Sequence, residues 1–527
     1  MSKTVYLSLI ICALFITCFP NKKVDIDEPS ALKTKNQIDT PTKIFLYNAS
    51  VVLYPEGFQI QNGILKGAGE ICLLNGTTNK LNSISVPIDS VAALTYYRFE
   101  SRGGSILGSV LLGLYGGILT PLSIYCLACP KCCFGSCPTI YVDNGRTYEL
   151  ESELFSYCIS RYFQESDLDK ISLINFPEKS YRVRISNEAL ETHYIDQFSL
   201  MEVNHPMGTQ MFPTCDGDFV CTRNLIVPLK VSNRFGEDVT DLVSKRDNIV
   251  YRSGDEMVKR ISDGLTMDKL DIQLNLTSNT KKIKLVFRVR NTLMTTILFY
   301  DLVLSSQGVE AIEWTENMQN NYIYAKIFNE LYKSYAGFRI KTFQEGSWKL
   351  QEITGDFGPI AWKEFAVELP VEAEHDSAHI RLEFFPDNFM IDYIGYDPSS
   401  DLNLSYNVNF RQPTNIVDDQ RHSKPDLREV LKRPDGQYLI TNPGESYYLS
   451  YNLLSNDSVN TSVFIKSKGY YIEWIRGNWL ANHSDNYKFN LFEVDKTLNQ
   501  LQKSWLINRP VIENKFFETR IPLKEDL

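Results

Sequence analysis

No glycine-rich phosphate loop, no H-E-x-x-H, no G-x-S-x-G and no C-x-x-C set in a redox fold occurs in the 527 residues of this chain. The common sequence signatures of nucleotide hydrolysis, zinc proteolysis, serine esterases and thiol exchange are therefore missing. An excess of positive charge is missing too. Lys and Arg number 54 against 64 Asp and Glu, a formal charge of −10. A phosphate-binding surface needs clustered cations, so nucleic acid is not an expected partner. Turn formers are no commoner than aromatics: 22 Pro and 28 Gly stand beside 29 Tyr and 29 Phe. That balance favours pleated, half-buried surfaces on which aromatic side chains pack across strands. With 43% apolar and 22% charged residues, wholesale disorder is excluded. The length suggests about three domains.

The N-terminus has the form of an export signal, residues 1–17. Lys3 supplies a small positive region, and residues 5–17 are an apolar run shorter than the roughly 20 residues that span a bilayer. The run ends in Leu14-Phe15-Ile16-Thr17-Cys18, which resembles the lipobox of bacterial lipoproteins, with Thr17 where Gly, Ala or Ser is usual. The resemblance implies acylation of Cys18, a polar tether over 18–42, and a membrane-anchored place in the bacterial cell envelope, at the outer membrane or the periplasmic face. An uncleaved signal anchor and simple secretion are the other readings.

Residues 43–101 alternate in short runs separated by Gly, Asn and Asp, the pattern of a small β module. Between Arg102 and Lys131 the chain carries no charge, and Gly104/Gly108 and Gly113/Gly117 sit at GxxxG spacing. An apolar Gly-rich helix over 102–131 is expected. It is long enough to cross a membrane; packing on protein or lying at the interface are the alternatives. Cys126, Cys129, Cys132 or Cys133, and Cys137 approach the spacing of an iron–sulfur ligand run but miss it by one residue. Zinc tolerates looser spacing, yet an exported chain meets oxidising conditions. Disulfides or free thiols are the expectation, with no metal and no cofactor.

From Ser136 the run Ser-Cys-Pro-Thr-Ile-Tyr-Val-Asp-Asn-Gly-Arg-Thr-Tyr-Glu-Leu-Glu-Ser-Glu to Glu153 is similar to the C-P-x-[VI]-Y-x-x-x-G-x-x-[FY] opening of an uncharacterised family of bacterial envelope lipoproteins, in which that motif follows an apolar helix. Asn187-Glu188, Glu191-Thr192-His193-Tyr194 and Val203-Asn204-His205-Pro206-Met207-Gly208-Thr209 resemble later motifs of the same family. Glu151 and Asn204 stand where the family has Asp, and Glu165 where it has Arg. The resemblance implies an envelope protein and no established reaction.

Read from the residues, 132–255 is a β module. Its first hairpin turns at Asp143-Asn144-Gly145, and turn chemistry accounts for its polar motif residues. Glu153, His193 and His205 are an acid/base set only if the fold gathers them. Cys215 and Cys221 flank an acidic turn and suit a local disulfide. Residues 256–398 read as a jelly-roll-like β-sandwich with a helix inserted at 311–335. His375 and His379 have helical spacing, but a strand would hold them about 13 Å apart. Asp392 lies in an apolar strand, as a structural or a binding residue. Residues 399–433 read as a linker and 434–527 as a C-terminal β module with a tail. Its aromatic run contains Tyr470, Tyr471, Trp474 and Trp479, candidates for contact with a partner or for a core.

The expected fold is mainly β: a small N-terminal β module, one apolar Gly-rich helix, then jelly-roll-like sandwiches with one inserted helix. The expected function is binding or scaffolding of a protein or glycan partner at the membrane, without a catalytic residue. An envelope hydrolase acting on glycan or peptide is the alternative.

Overall fold

The computed structural model describes residues 21–27, 32, 35–40, 42–46, 51–72, 78–100, 137–172, 180–189, 191–254, 256–257, 267–277, 279–297, 304, 332, 335–373, 376–399, 406–442, 444–452, 460–473, 502, 505, 509 and 513. The protein is mainly β. Cys18, the Gly-rich stretch, Cys126, Cys129, Cys132, Cys133, His375, Trp474 and Trp479 lie outside these residues, as does most of 311–335, where Tyr332 and Tyr335 are helical. No helix among the described residues is long and apolar enough to cross a membrane.

Two compact units are present. The first holds β1 (Asn21–Asp27), β2 (Gln37–Ile38), β3 (Thr42–Leu46), β4 (Val51–Tyr54), β5 (Phe58–Gln61), β6 (Ile64–Cys72), β7 (Thr78–Pro87) and β8 (Val91–Glu100). They form one sheet in the order β1-β8-β3-β4-β6-β5-β2, with β7 also paired to β6. Ile44, Val52, Leu65, Ile84, Val86 and Leu94 bury its apolar side. The tether expected over 18–42 is corrected here, because β1 pairs with β8 from Asn21↔Glu100 to Asp27↔Leu94. An edge strand needs backbone partners on one side only and tolerates charge, so its polar composition concealed it.

The second unit begins with β9 (Thr139–Asp143), β10 (Tyr148–Glu153), β11 (Glu165–Ile171), β12 (Ser180–Ser186), β13 (Glu191–His205), β14 (Gln210–Pro213) and β15 (Phe219–Thr222). It continues with β16 (Lys230–Asn233), β17 (Asp268–Asn275), β18 (Lys282–Asn291), β19 (Phe338–Gln344), β20 (Ser347–Ile353), β21 (Lys363–Pro370), β22 (Ser377–Phe384) and β23 (Phe389–Asp397). These eight make the sandwich: a five-stranded sheet β16-β17-β22-β19-β20 facing a three-stranded sheet β21-β18-β23. Alternation turns Leu270, Ile272 and Leu274 inward from the larger sheet and Leu285, Phe287 and Val289 inward from the smaller, into one core. The sandwich starts at Lys230, ahead of the boundary expected at 256, because β16 pairs with β17.

The linker and the separate C-terminal module are not what the chain builds. Residues 399–433 contain β24 (Asn407–Arg411), β25 (Asn415–Asp418) and a short helix α1 (Leu427–Val430). Beyond them come β26 (Leu439–Thr441), β27 (Ser446–Asn452) and β28 (Asn460–Glu473). These strands complete two five-stranded sheets begun before the sandwich, β10-β9-β12-β27-β25 and β11-β28-β13-β24 with β26 on β13. β13 and β28 pair from Glu191↔Glu473 to His205↔Asn460. The sandwich is thus an insertion between the halves of the motif-bearing module. The C-terminal residues also return to it: Trp505 Nε1 and Arg509 Nη1 donate to the buried Asp387 carboxylate at 2.7 and 3.2 Å. Arg252 pairs with both Asp387 and Glu513.

Candidate functional site

Two polar constellations stand out, one inside the protein and one on its surface. The inner one is made by the motif residues. The hairpin β9–β10 forms as expected: the Asp143 carboxylate accepts from the Gly145 amide and the Asn144 side-chain carbonyl from the Arg146 and Thr147 amides, and Gly145 has φ 86°, which favours glycine. The turn from β12 to β13 then carries Asn187, Glu188 and Glu191, all buried. Asn187 Nδ2 donates to the Glu191 and Thr441 carbonyls at 2.9 and 3.1 Å. Its backbone exchanges hydrogen bonds with Glu445 and Gly444. Glu188 accepts from the Tyr141 and Thr139 hydroxyls at 2.6 and 3.1 Å.

His193 Nε2 lies 2.8 Å from Glu191 Oε1, and its Nδ1 lies 3.0 Å from Thr441 Oγ1. A carboxylate only accepts, so the ring proton sits on Nε2 and Nδ1 accepts from the threonine. Burial pushes the imidazole down to about 3, against a smaller opposing effect of Glu473. Burial pushes the Cys137 thiol of the Cys-Pro motif up, reinforced by the nearby Glu153, Glu191 and Asp356; that thiol is no nucleophile at neutral pH. Glu153 Oε2 accepts the Ile360 amide at 2.8 Å. A Cβ at Gly358, where φ is +79°, would stand 2.5 Å from that carboxylate. Only glycine lets this sandwich loop close over Glu153.

These are joints between strands far apart in sequence. His205 does not join them: twelve residues farther along β13, it is about 40 Å from His193 at strand rise. There it is bonded to Thr209 and Ser462 at 2.8 and 2.9 Å. Glu153, His193 and His205 are not one acid/base set.

The outer constellation lies on the open face of the five-stranded sheet, where alternation turns Asp271, Gln273, His379, Arg381, Lys341 and Phe343 outward. Asp271 accepts from Arg381 at 2.5 and 3.2 Å and from Lys269 at 2.7 Å. Burial alone would raise its carboxyl, but those hydrogen bonds hold it below its ordinary value. The Arg381 guanidinium lies 4.1 Å from the centre of the Trp348 ring. Phe343 meets the same indole edge-on at 5.3 Å, and Lys341 pairs with Glu383 at 2.5 Å. Trp348 is half-buried and Leu350 exposed. By contrast, the outer face of the three-stranded sheet is covered, with Val286, Ala366 and Tyr393 packed against Phe212 and Val220.

The described candidate residues take structural places. Tyr470 and Tyr471 are buried: Tyr470 stacks on Tyr194 at 4.6 Å and 3°, and the Tyr471 hydroxyl donates to the Ser156 carbonyl at 2.7 Å. Both belong to the core, because β28 is an inner strand of its sheet. Asp392 is also structural, fully buried, accepting from the Asn248 amide at 2.6 Å and paired with Arg288. Cys215 and Cys221 are free cysteines, not a disulfide. Cys221 packs inward beside Met211 and Phe464, whereas Cys215 is in the exposed turn beyond the strand. Among the described residues no group of His, Cys, Asp and Glu could hold a metal.

Sequence reading missed the outer face. Its alternation was visible in Lys269-Leu-Asp-Ile-Gln-Leu and His379-Ile-Arg-Leu-Glu, but only the register Asp271↔Arg381 and Arg381↔Lys341 brings the side chains together.

No protein-family model matches the chain, and no characterised protein matches it in sequence. Among solved structures it is similar to an uncharacterized protein from Listeria monocytogenes EGD-e, at 10% identity and TM-score 0.14 over 67% of this chain and 30% of that one. The Sulfolobus Turreted Icosahedral Virus structure aligns at 10% identity and TM-score 0.14 over 59% and 90%. The chain spans under a third of the Listeria protein, and likenesses at these TM-scores carry no argument about fold or function.

Proposed function

We propose that this is a lipid-anchored protein of the bacterial cell envelope that binds a glycan on the open face of the five-stranded sheet. The observation that carries the reading is Trp348, half-buried, held by Arg381 and Phe343 and surrounded by a fixed acid–base array. An indole offers an apolar platform to the C–H face of a sugar ring, and pre-ordered planar donors and acceptors beside it meet hydroxyls at little entropic cost. Cys18 is the proposed acylation site, and two or more acyl chains give a stable anchor.

One preparation tests both parts. Full-length chain is purified in detergent from cells fed a fatty-acid analogue and applied to a glycan panel. Wild type carries the label and Cys18→Ala does not. Wild type is retained by a defined glycan class, and Trp348→Ala loses about tenfold in affinity or more with its unfolding midpoint unchanged. Retention of a protein but no glycan, or equal retention by Trp348→Ala, overturns the binding site; equal labelling of Cys18→Ala overturns the anchor.

A further inference from the structure

Where β11 meets β21, one cation faces two carboxylates. Lys363 Nζ lies 2.5 Å from Asp167 Oδ1 and 2.9 Å from Asp169 Oδ1. The three side chains are 16%, 12% and 6% exposed. Asp167 and Asp169 are two apart, so both leave the strand on the same side. They are not equivalent. Asp167 accepts two backbone amides, Phe155 at 2.9 Å on Oδ2 and Leu168 at 2.9 Å on Oδ1. Asp169 has neither; its partners are Lys363 and the neighbouring Ser152 hydroxyl.

We propose that Lys363 and Asp169 form an intramolecular isopeptide bond, with Asp167 as the proton carrier. In the starting state Lys363 is an ammonium, Asp167 a carboxylate and Asp169 a neutral acid. Lys363 passes one proton to Asp167, and its free amine attacks Cγ of Asp169, one C–O bond beyond the oxygen it already contacts. Nitrogen loses a second proton as the C–O bond breaks, and hydroxide and proton leave as water. The products are an amide, one water and a protonated Asp167, so atoms and charge balance with no co-reactant. Burial, and then the adjacent Asp167, push the Asp169 carboxyl up to about 6, so the neutral acid is a minor form at neutral pH and becomes the main one in mildly acidic solution. Asp167, and Asp169 while it is ionised, hold Lys363 as the ammonium despite its burial, so neutralising Asp169 removes one of the two carboxylates that hold the proton, and transfer to Asp167 precedes attack. Product formation replaces a buried cation and carboxylate by a neutral amide, removing a desolvation cost.

A second pair on the same two strands gives an internal control. Lys170 contacts Glu364 at 3.2 Å, but Glu364 also takes Arg246 at 2.5 Å. Burial would raise its carboxyl, yet the two cations hold it low. A carboxylate is no electrophile, and no amide forms there.

The test is peptide mapping of the full chain after denaturation and trypsin. Wild type is expected to yield a branched peptide joining Asp169 to Lys363, lighter than the sum of its arms by one water. Asp169→Asn should give the same branch with loss of ammonia instead, a signature that packing alone cannot produce. Lys363→Arg and Asp167→Ala should give linear peptides. Linear peptides bearing unmodified Lys363 and Asp169 from folded wild-type protein overturn the proposal, whatever the variants do.

Discussion

The two polar constellations of this protein differ in where their partners are. At the turn between β12 and β13, Asn187, Glu188, Glu191 and His193 lie in the interior; Asn187 and His193 bond to Thr441, more than 240 residues away, and Glu188 to Thr139 and Tyr141 on β9. On the five-stranded sheet of the sandwich, Asp271, Arg381 and Trp348 contact neighbours on the same face and are half-buried. Buried polar groups are costly unless every bond is made, so the first set specifies architecture. Partly exposed ion pairs stabilise little, and the ordered array of them beside an indole is the one we assign to recognition. The residues that resemble a family motif are therefore not the ones we assign to binding.

The contrast breaks most visibly at Asn187. Removing its amide leaves the Glu191 and Thr441 carbonyls buried without that donor. Each unmade buried bond costs about 1–3 kcal/mol. Asn187→Ala should thus lose about 3 kcal/mol of stability, read as a lower urea midpoint at unchanged slope. A loss below about 1 kcal/mol, the range of an exposed polar residue, would mean the turn is not the joint described above.

His193 sharpens the same side of the comparison through pH. Its folded value of about 3 lies below that of the unfolded chain, because burial favours the neutral ring. The unfolded state then binds the extra proton. Stability from this group is complete above about pH 6.5 and falls as pH drops toward 3, by about 1.4 kcal/mol per pH unit. Denaturant midpoints measured from pH 7 to pH 4 should fall more steeply in wild type than in His193→Gln. Parallel profiles would place the histidine in a hydrated setting.

How much of this was readable depends on sequence distance. The sandwich could be read from β17 onward because β17 to β23 follow one another and alternate cleanly, as Leu270, Ile272 and Leu274 do against Lys269, Asp271 and Gln273; β16, ahead of the expected boundary, was missed. The motif module could not be read whole, because its inner strands pair across the insertion, as in His193↔Tyr471. A period of two says which residues share a face but not whether the second face is also covered. Tyr470 and Tyr471 point to opposite faces of β28, and both are buried; for that reason their aromatic run could be read from sequence either as a core or as a contact surface. The outer site had the converse problem. Its residues alternate legibly, but Trp348 and Arg381 meet only through the packing of β20, β19 and β22.

The smallest stability effect is expected where the largest functional one lies. Asp271 holds Arg381 through two hydrogen bonds, and their side chains are 34% and 21% exposed. Screening leaves such a pair about 0–1 kcal/mol, so Asp271→Ala should shift the urea midpoint by an amount close to experimental error. Its effect should appear in geometry. Without the carboxylate the guanidinium loses its anchor, the cation–π contact with Trp348 loosens, and the platform must be ordered again on each binding event at about 0.5–1.5 kcal/mol per side chain. Glycan affinity should therefore fall by several-fold, chiefly through faster dissociation, while stability holds. Restoring the carboxylate one methylene farther out, as Asp271→Glu, should recover part of the affinity. If Asp271→Ala instead unfolds the sandwich, the open face is architectural like the buried turn, and the distinction between the two constellations fails.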